Sequence, residues 1–258
     1  MLLLLVLAAG CWASLQPLPS LAGKRVLFIG AHPDDIEGCA GGLVQTLTDV
    51  HYVIVTNGDK GCGAAFCENY TVSELATTRQ AEQVAAAKVL SVKPENVVFL
   101  GYEDAMVVST PEVQIKMDLI AAIRRIRPDV VMSWLSYPSF QLLPSAGWDD
   151  AGFHPDHMGV GKVALDAATF GSALARLFPE LGAAWRVEQY YFWSFEAAAT
   201  HYLDVTSLLP LKIAAYLAHK SQYPNASYVG PSVTATAKML GDELGLNGLP
   251  VEAFQAYF

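Results

Sequence analysis

Short runs rich in β-branched and aromatic residues alternate along this chain with longer stretches of helical character. Strands are predicted over 24–30, 51–56, 96–100, 129–134 and 187–195. Helices are predicted over 37–48, 72–91, 112–127, 156–176, 207–220 and 232–244. Several helix ends carry a physical signal. Thr71 with Glu74 makes a capping box, in which each residue satisfies a backbone N–H of the other. Pro111 and Pro155 suit the first helical position, where no N–H is needed. Pro128 follows Arg127, where a helix cannot continue. Alternating β and α over the first 180 residues or so predicts a Rossmann-like α/β fold, its mainly parallel sheet flanked by helices. No linker, internal repeat or charge run divides the chain, so a single domain is expected.

If the first four strands lie in the order 3-2-1-4, the first and fourth are neighbours. The crevice beyond their C-terminal ends is then the place where an open α/β sheet binds ligands. Two four-residue clusters fall there. His32-Pro33-Asp34-Asp35 follows the first strand, and His154-Pro155-Asp156-His157 lies downstream of the fourth. Between them they offer three His and three Asp, enough for a three-ligand metal site with a spare carboxylate. His32 and Asp35 are three apart at a strand-to-helix turn and can grip one ion. Of His154 and His157, one can ligate while the other stays free beside Asp156. The plainer reading is that Asp34 and Asp35 only cap a helix. A non-haem iron triad of two His and one carboxylate is a further alternative, though it leaves the additional Asp and His unused. Gly30-Ala31-His32 lacks the glycine fingerprint of a dinucleotide site. The segment 135–153, with Pro138, Pro144, Gly147, Trp148 and Gly152, reads as an active-site loop.

Composition narrows the picture. The 258 residues are 53% apolar, enough for one large core and marginal for two domains. Net charge is −9 with only 16 Lys and Arg, so no basic stripe exists for nucleic acid or for an anionic membrane surface. The start, Met1 to Ser14, is apolar but shorter than the roughly 20 residues of an ordinary span. Small residues at Cys11 and Ala13 predict a signal peptide over 1–13, cleaved before Ser14, although a positive n-region is missing. A short signal-anchor is the second reading, and a lipoprotein signal ending at Cys11 is another. The expected location is the secretory pathway, secreted or in the endoplasmic reticulum lumen, or membrane-anchored if the start is retained. The sequons Asn69-Tyr70-Thr71 and Asn225-Ala226-Ser227 fit that route. Cys62 and Cys67 lie close enough in sequence for a small disulfide, which leaves Cys39 unpaired. No CxxC spacing suggests a cysteine zinc site.

The run Ala31-His32-Pro33-Asp34-Asp35-Ile36-Glu37, with Gly41-Gly42 beyond, resembles the signature of the PIG-L/LmbE-like zinc de-N-acetylases. The likeness continues through Thr56-Asn57-Gly58-Asp59-Lys60-Gly61, Arg79-Gln80-Ala81-Glu82, Leu100-Gly101-Tyr102-Glu103-Asp104, Arg127-Pro128-Asp129-Val130-Val131 and His154-Pro155-Asp156-His157. It reaches Lys212 and His219-Lys220-Ser221-Gln222, so the family domain is expected over 24–258. The resemblance implies zinc, with Fe2+ as an alternative, held by His32, Asp35 and His157. It implies Asp34 as general base, and His154, oriented by Asp156, as the group that stabilises the oxyanion in protonated form. Arg79 and Asp104 match positions that contact the sugar. The alternatives are a surface cation paired with Glu82 for Arg79, and a turn residue for Asp104. The implied activity is removal of acetyl from an N-acetylglucosamine-containing small molecule or glycolipid, such as GlcNAc-phosphatidylinositol. Asp156 stands where eukaryotic glycolipid deacetylases tend to carry Asn, as in bacterial-type members. The rival readings are a secreted metal-dependent glycan-binding protein without turnover, and a zinc amidase acting on a non-sugar amide.

Overall fold

A computed structural model of the chain describes residues 14–63, 69–135, 154–193 and 199–257. The predicted start segment, Cys67 and the bulk of the predicted active-site loop (136–153) lie outside these residues. In the middle of the parallel part of the sheet is β2 (Arg25–Gly30), whose Val26, Leu27, Phe28 and Ile29 are wholly buried. An apolar run buried on both faces is the mark of a parallel strand covered by helices. It pairs in parallel with β3 (Asp49–Thr56) on one side and β5 (Val130–Trp134) on the other, and β3 pairs with β4 (Val97–Tyr102). The order β4-β3-β2-β5 is the one expected from the sequence, so the crevice beyond β2 and β5 exists. A fifth parallel strand, β6 (Gln189–Trp193), extends the sheet past β5.

Beyond β6 the sheet turns mixed. The last strand, β8 (Val251–Tyr257), runs antiparallel between β6 and β7 (His201–Asp204), and a two-residue strand, β1 (Gln16–Pro17), closes the edge. The sequence reading missed these three. β1 and β7 are very short, and Glu252, Ala253, Gln255 and Ala256 dilute the β-branched pattern of β8.

The helices are α1 (Asp35–Val44), α2 (Val72–Val89), α3 (Glu112–Ile126), α4 (Pro155–Asp166), α5 (Leu209–Tyr216) and α6 (Ala226–Glu243). The Thr71–Glu74 capping box is present in both directions. Pro155 occupies the first turn of α4, whereas Pro111 stands one place earlier than expected, as the cap of α3. The expected helix 156–176 ends ten residues early and passes into a π turn, Ala167–Gly171. α6 begins six residues before the predicted 232, because the helix absorbs Pro231 near its start. Among the described residues no helix is long and apolar enough to cross a membrane.

One irregularity bears on the site. α1 breaks at Ala40 (φ −139°), which frees backbone groups on both sides of the break. Glu252 of β8 accepts from the N–H of Gly42 (2.7 Å) and of Leu43 (2.8 Å). Lys212 of α5 donates to Gly38 O (2.7 Å) and to Glu252 (2.6 Å). The buried ion pair thus caps both halves of a kinked helix. A Cβ on Gly42 would stand 2.5 Å from Val205 Cγ1, which is why this position has no side chain.

Candidate active site

The first tetrad is bent and gripped. Asp34 is held at φ 109°, ψ −21°, a backbone state that costs on the order of 1–3 kcal/mol and persists only when its surroundings enforce it. The enforcement comes from two buried polar residues one turn apart on α2. Gln83 accepts the Asp34 N–H (2.9 Å) and is itself fixed by donating to buried Glu37 (2.9 Å). Arg79 donates to Pro33 O (2.6 Å), to Asp34 Oδ2 (3.1 Å) and to Gly58 O (3.0 Å). A Cβ on Gly58 would lie 2.5 Å from the Arg79 guanidinium, so glycine is required there for the cation to pass.

The second tetrad runs straight into α4. His154 is its N-cap, and its Nδ1 accepts from the Asp156 N–H (3.2 Å). The Asp156 carboxylate is fully buried. It accepts from the N–H groups of Ala105 (2.7 Å) and Val107 (3.1 Å) and faces His32 Nε2 (3.2 Å). The expected orientation of His154 by Asp156 therefore acts through the backbone N–H, while the carboxylate steadies His32.

Three lone-pair atoms converge where the tetrads meet. His32 Nδ1 and His157 Nε2 are 3.1 Å apart. Asp35 Oδ1 is 3.3 Å from His157 Nε2 and 3.9 Å from His32 Nδ1. Ligands of a tetrahedral zinc stand roughly 3.3 Å apart, so the triangle has the right size for a divalent ion. Each corner is oriented from behind, as metal ligands generally are. His32 Nε2 is turned to Asp104 Oδ1 (3.0 Å) and Asp156 Oδ2, which leaves Nδ1 facing inward. Asp35 Oδ2 accepts from Ala31 N (2.6 Å), His32 N (3.0 Å) and Trp134 Nε1 (2.6 Å), which aims Oδ1 inward. The His157 ring lies flat on Trp134, centroids 3.7 Å apart, and its Nδ1 has no partner among the described residues. His32, His154 and His157 also lie close enough to share an ion, as do His32, Asp104 and Asp156. The second set is committed to backbone N–H groups. In the first, His154 Nδ1 already accepts a hydrogen bond, so its neutral ring carries the proton on Nε2 and presents a donor rather than a lone pair.

The electrostatics agree. Burial would strip the charge from His32, but hydrogen bonds to Asp104 and Asp156 and the charge of Asp35 outweigh it, and the pKa is pushed up to about 10. A cluster this acidic demands positive charge at His32, a demand that a cation on the Nδ1 side would meet. Asp35 and Asp104 show the opposite outcome. Burial raises both, yet the neighbouring histidines hold each well below the usual carboxylate range. Asp34 is raised by burial, only partly offset by the Arg79 charge. His154 is lowered by burial and by the charges of His32 and His157, so a protonated His154 is disfavoured.

Every predicted site residue lies at this crevice or directly behind it, and Arg79 and Asp104 line its cavity. Asp104 is buried, accepts from Lys60 N (3.3 Å) and Gly61 N (3.1 Å), and backs His32. Arg79 is no surface cation paired with Glu82, because Glu82 bonds to Ser221 instead. Sequence reasoning missed Gln83, Trp134 and the buried Glu37–His219 contact (3.3 Å). The spacing of Arg79 and Gln83 at i and i+4 was the available signal for the first. Cys62 is disulfide-bonded, Cys39 is free and buried, and both line the cavity above the cluster.

Comparison with known proteins extends the geometry. Residues 27–168 match the family described as PIG-L: GlcNAc-PI de-N-acetylase. The chain is 27% identical over 216 residues to diacetylchitobiose deacetylase of Thermococcus kodakarensis, covering 78% of this chain and 71% of that protein. It is 28% identical over 193 residues to the 1D-myo-inositol 2-acetamido-2-deoxy-alpha-D-glucopyranoside deacetylase of Rhodococcus erythropolis, covering 66% of this chain and 61% of the relative. The fold superposes with a TM-score of 0.75 on N,N'-diacetylchitobiose deacetylase from Pyrococcus horikoshii, at 26% identity over 91% of this chain and 84% of that one. The chain belongs to the PIG-L family and, with it, to the hydrolytic N-deacetylases.

Proposed function

We propose that this protein removes the N-acetyl group from an N-acetylglucosamine conjugate and releases acetate. The observation that carries the reading is the inward triangle of His32 Nδ1, Asp35 Oδ1 and His157 Nε2, with the buried, raised-pKa carboxyl of Asp34 lining the same cavity. His32, Asp35 and His157 would hold the metal, and the nitrogen-rich set suits zinc, with Fe2+ as the alternative. A divalent ion there supplies Lewis acidity to the acetamide carbonyl and lowers the pKa of water.

The remaining chemistry belongs to side chains of the chain. Asp34 takes a proton from the attacking water and returns it to the departing nitrogen. A carboxyl raised above its ordinary range does both more readily near neutral pH. Arg79 keeps that carboxyl in place and tempers its pKa. His154 offers its Nε2–H to the developing oxyanion as a neutral donor. The names of the relatives support an acetylated glucosamine as the group acted on. The apolar start and two exposed sequons support a secretory route, and N-terminal sequencing of the native protein tests it by looking for Ser14 as the first residue.

The direct test is an acetate-release assay with metal-loaded protein on the methyl glycoside of N-acetylglucosamine, N,N'-diacetylchitobiose, N-acetylglucosaminyl-inositol and N-acetylglucosaminyl-phosphatidylinositol. Acetate release that Asp34→Asn abolishes is the expected result. Saturable binding of these compounds with no acetate from any of them would overturn the reading in favour of a glycan-binding protein.

A further inference from the structure

The metal triangle lies between two unlike walls of one cavity of about 580 Å³. We infer that the apolar wall, built by α6 and β8, is a subsite for the acyl chain of the scissile amide, and that the protein hydrolyses N-acylglucosamines whose chain is longer than acetyl. This deepens the proposed deacetylation and rests on it. The chemistry is unchanged. Water adds to the acyl carbon, the C–N bond breaks, and a carboxylate and a free amine leave.

The base sets the direction of the substrate. Asp34 returns a proton to the departing nitrogen, so that nitrogen must face Asp34. Polar groups stand on this side. Arg79 donates to Asp34 Oδ2 (3.1 Å) and lies 3.9 Å from Asp104, and Gln222 donates to Gly61 O (2.9 Å). They suit the hydroxyl-bearing amine half of the substrate. In a planar amide the nitrogen and the acyl chain lie on opposite sides of the carbonyl carbon. The chain therefore runs away from Asp34.

That direction is aromatic first and aliphatic beyond. Trp134 stacks on His157 and meets Trp193 edge to face (5.5 Å). Trp193 pairs with Phe254 of β8, next to Ala253. Ala253, Val251 and Leu240 share one buried apolar cluster. α6 presents Val229, Val233, Ala237 and Leu240 at helical spacing, and all four line the cavity with Val251 and Ala253. Met239 borders this floor. Tyr228, Ser232 and Thr236 form the adjacent stripe, where Tyr228 and Thr236 are exposed, so the hydroxyls mark the solvent edge rather than the floor.

The way from the triangle to this floor is open. Gly38 and Cys39 stand three and four residues after Asp35, on the same face of α1, and put no bulky side chain in between. Lys212 and Glu252 are the charged lining residues on this side among those described. They are paired with each other and spent on Gly38 O and on the Gly42 and Leu43 N–H groups. An alkyl chain thus enters without stranding a charge, and each buried CH₂ is worth about two- to fourfold in affinity. An acetyl methyl leaves most of that surface unused.

The test measures free-amine release by metal-loaded protein from methyl glucosaminide carrying N-acetyl, N-butyryl, N-hexanoyl or N-octanoyl, all below their aggregation concentrations. The octyl glycoside of N-acetylglucosamine is the fifth probe. We expect kcat/KM to rise at least about tenfold from acetyl to hexanoyl, mainly through KM, and the octyl glycoside to stay within about twofold of the methyl glycoside. Binding to metal-loaded Asp34→Asn protein, read by calorimetry, should tighten by the same factor along the acyl series. Val233→Glu, and Thr236→Trp at an exposed position, should each lower the hexanoyl-to-acetyl ratio at least about fivefold. Cleavage of the acetyl probe that falls with acyl length overturns this proposal alone. So does a chain-length gain on the glycoside side that equals the acyl gain, or an equal effect of both variants on every acyl length. Absence of amine from all five probes overturns the deacetylase reading along with it.

Discussion

The two tetrads begin with the same three residues, His-Pro-Asp, and do different work. In the first, His32 turns its Nδ1 into the triangle and the chain then doubles back through the left-handed Asp34. In the second, His154 spends its Nδ1 on capping α4, and the chain runs on helically through Pro155. Their third residues diverge as well. Asp34 is set at the cavity with its pKa raised, while Asp156 is sunk against two backbone N–H groups behind His32. Only the fourth positions, Asp35 and His157, agree in direction, and both supply an inward atom. The lesson is that backbone conformation, set by what grips the turn, decides whether a histidine turns its Nδ1 towards the triangle or caps a helix. Residue type alone does not.

That contrast can be broken experimentally. His32→Ala, on the ligating side, should abolish stoichiometric metal by elemental analysis and reduce acetate release to background. Asp34→Asn should keep the metal and lose about 10²–10⁴ in kcat, because an amide cannot take the proton. The acidic limb of the wild-type profile should move with the same residue. Asp34 must be ionised to act, so activity rises as pH passes through its pKa, above the ordinary aspartate value of 3.8, and that limb should vanish in the variant. His154→Ala, on the capping side, should retain metal and lose about 10²–10³ in kcat as an oxyanion donor is removed. Metal loss there would erase the proposed difference between the two histidines. The smallest effect is expected from Gln83→Met, which leaves the Asp34 N–H buried and unpaired. It should cost about 1–3 kcal/mol of stability in denaturant unfolding and about tenfold in kcat, with metal retained.

What the sequence disclosed follows a physical divide. The parallel strands were legible because burial on both faces writes a continuous apolar run in the inner ones, and even the half-buried edge strand β4 keeps Val97-Val98-Phe99-Leu100; the crevice followed from their order. The ligand-type residues were legible because strand-to-turn positions place them there by local geometry. What stayed hidden depends on partners distant in sequence. Gln83 looks like an ordinary polar residue of α2, and the grip of Arg79 on Asp34 is invisible, until the Asp34 turn is packed against them. Asp104 reads as a turn residue until His32 is seen beside it. Burial, and then the charges of His32 and His157, lower the His154 pKa, an effect that likewise comes from neighbours distant in sequence.

The kink of α1 ties the timing of assembly to the far end of the fold. The second half of the helix that begins with Asp35 takes its backbone caps from Glu252, 210 residues downstream of Gly42. During synthesis those N–H groups must wait in water until nearly the whole domain has left the ribosome. Closing so long a loop is slow relative to local helix formation. The helix carrying Asp35 therefore belongs among the last parts of the molecule to set. A chain stopped before β8 would carry both histidine tetrads and still lack the caps that fix the end of α1.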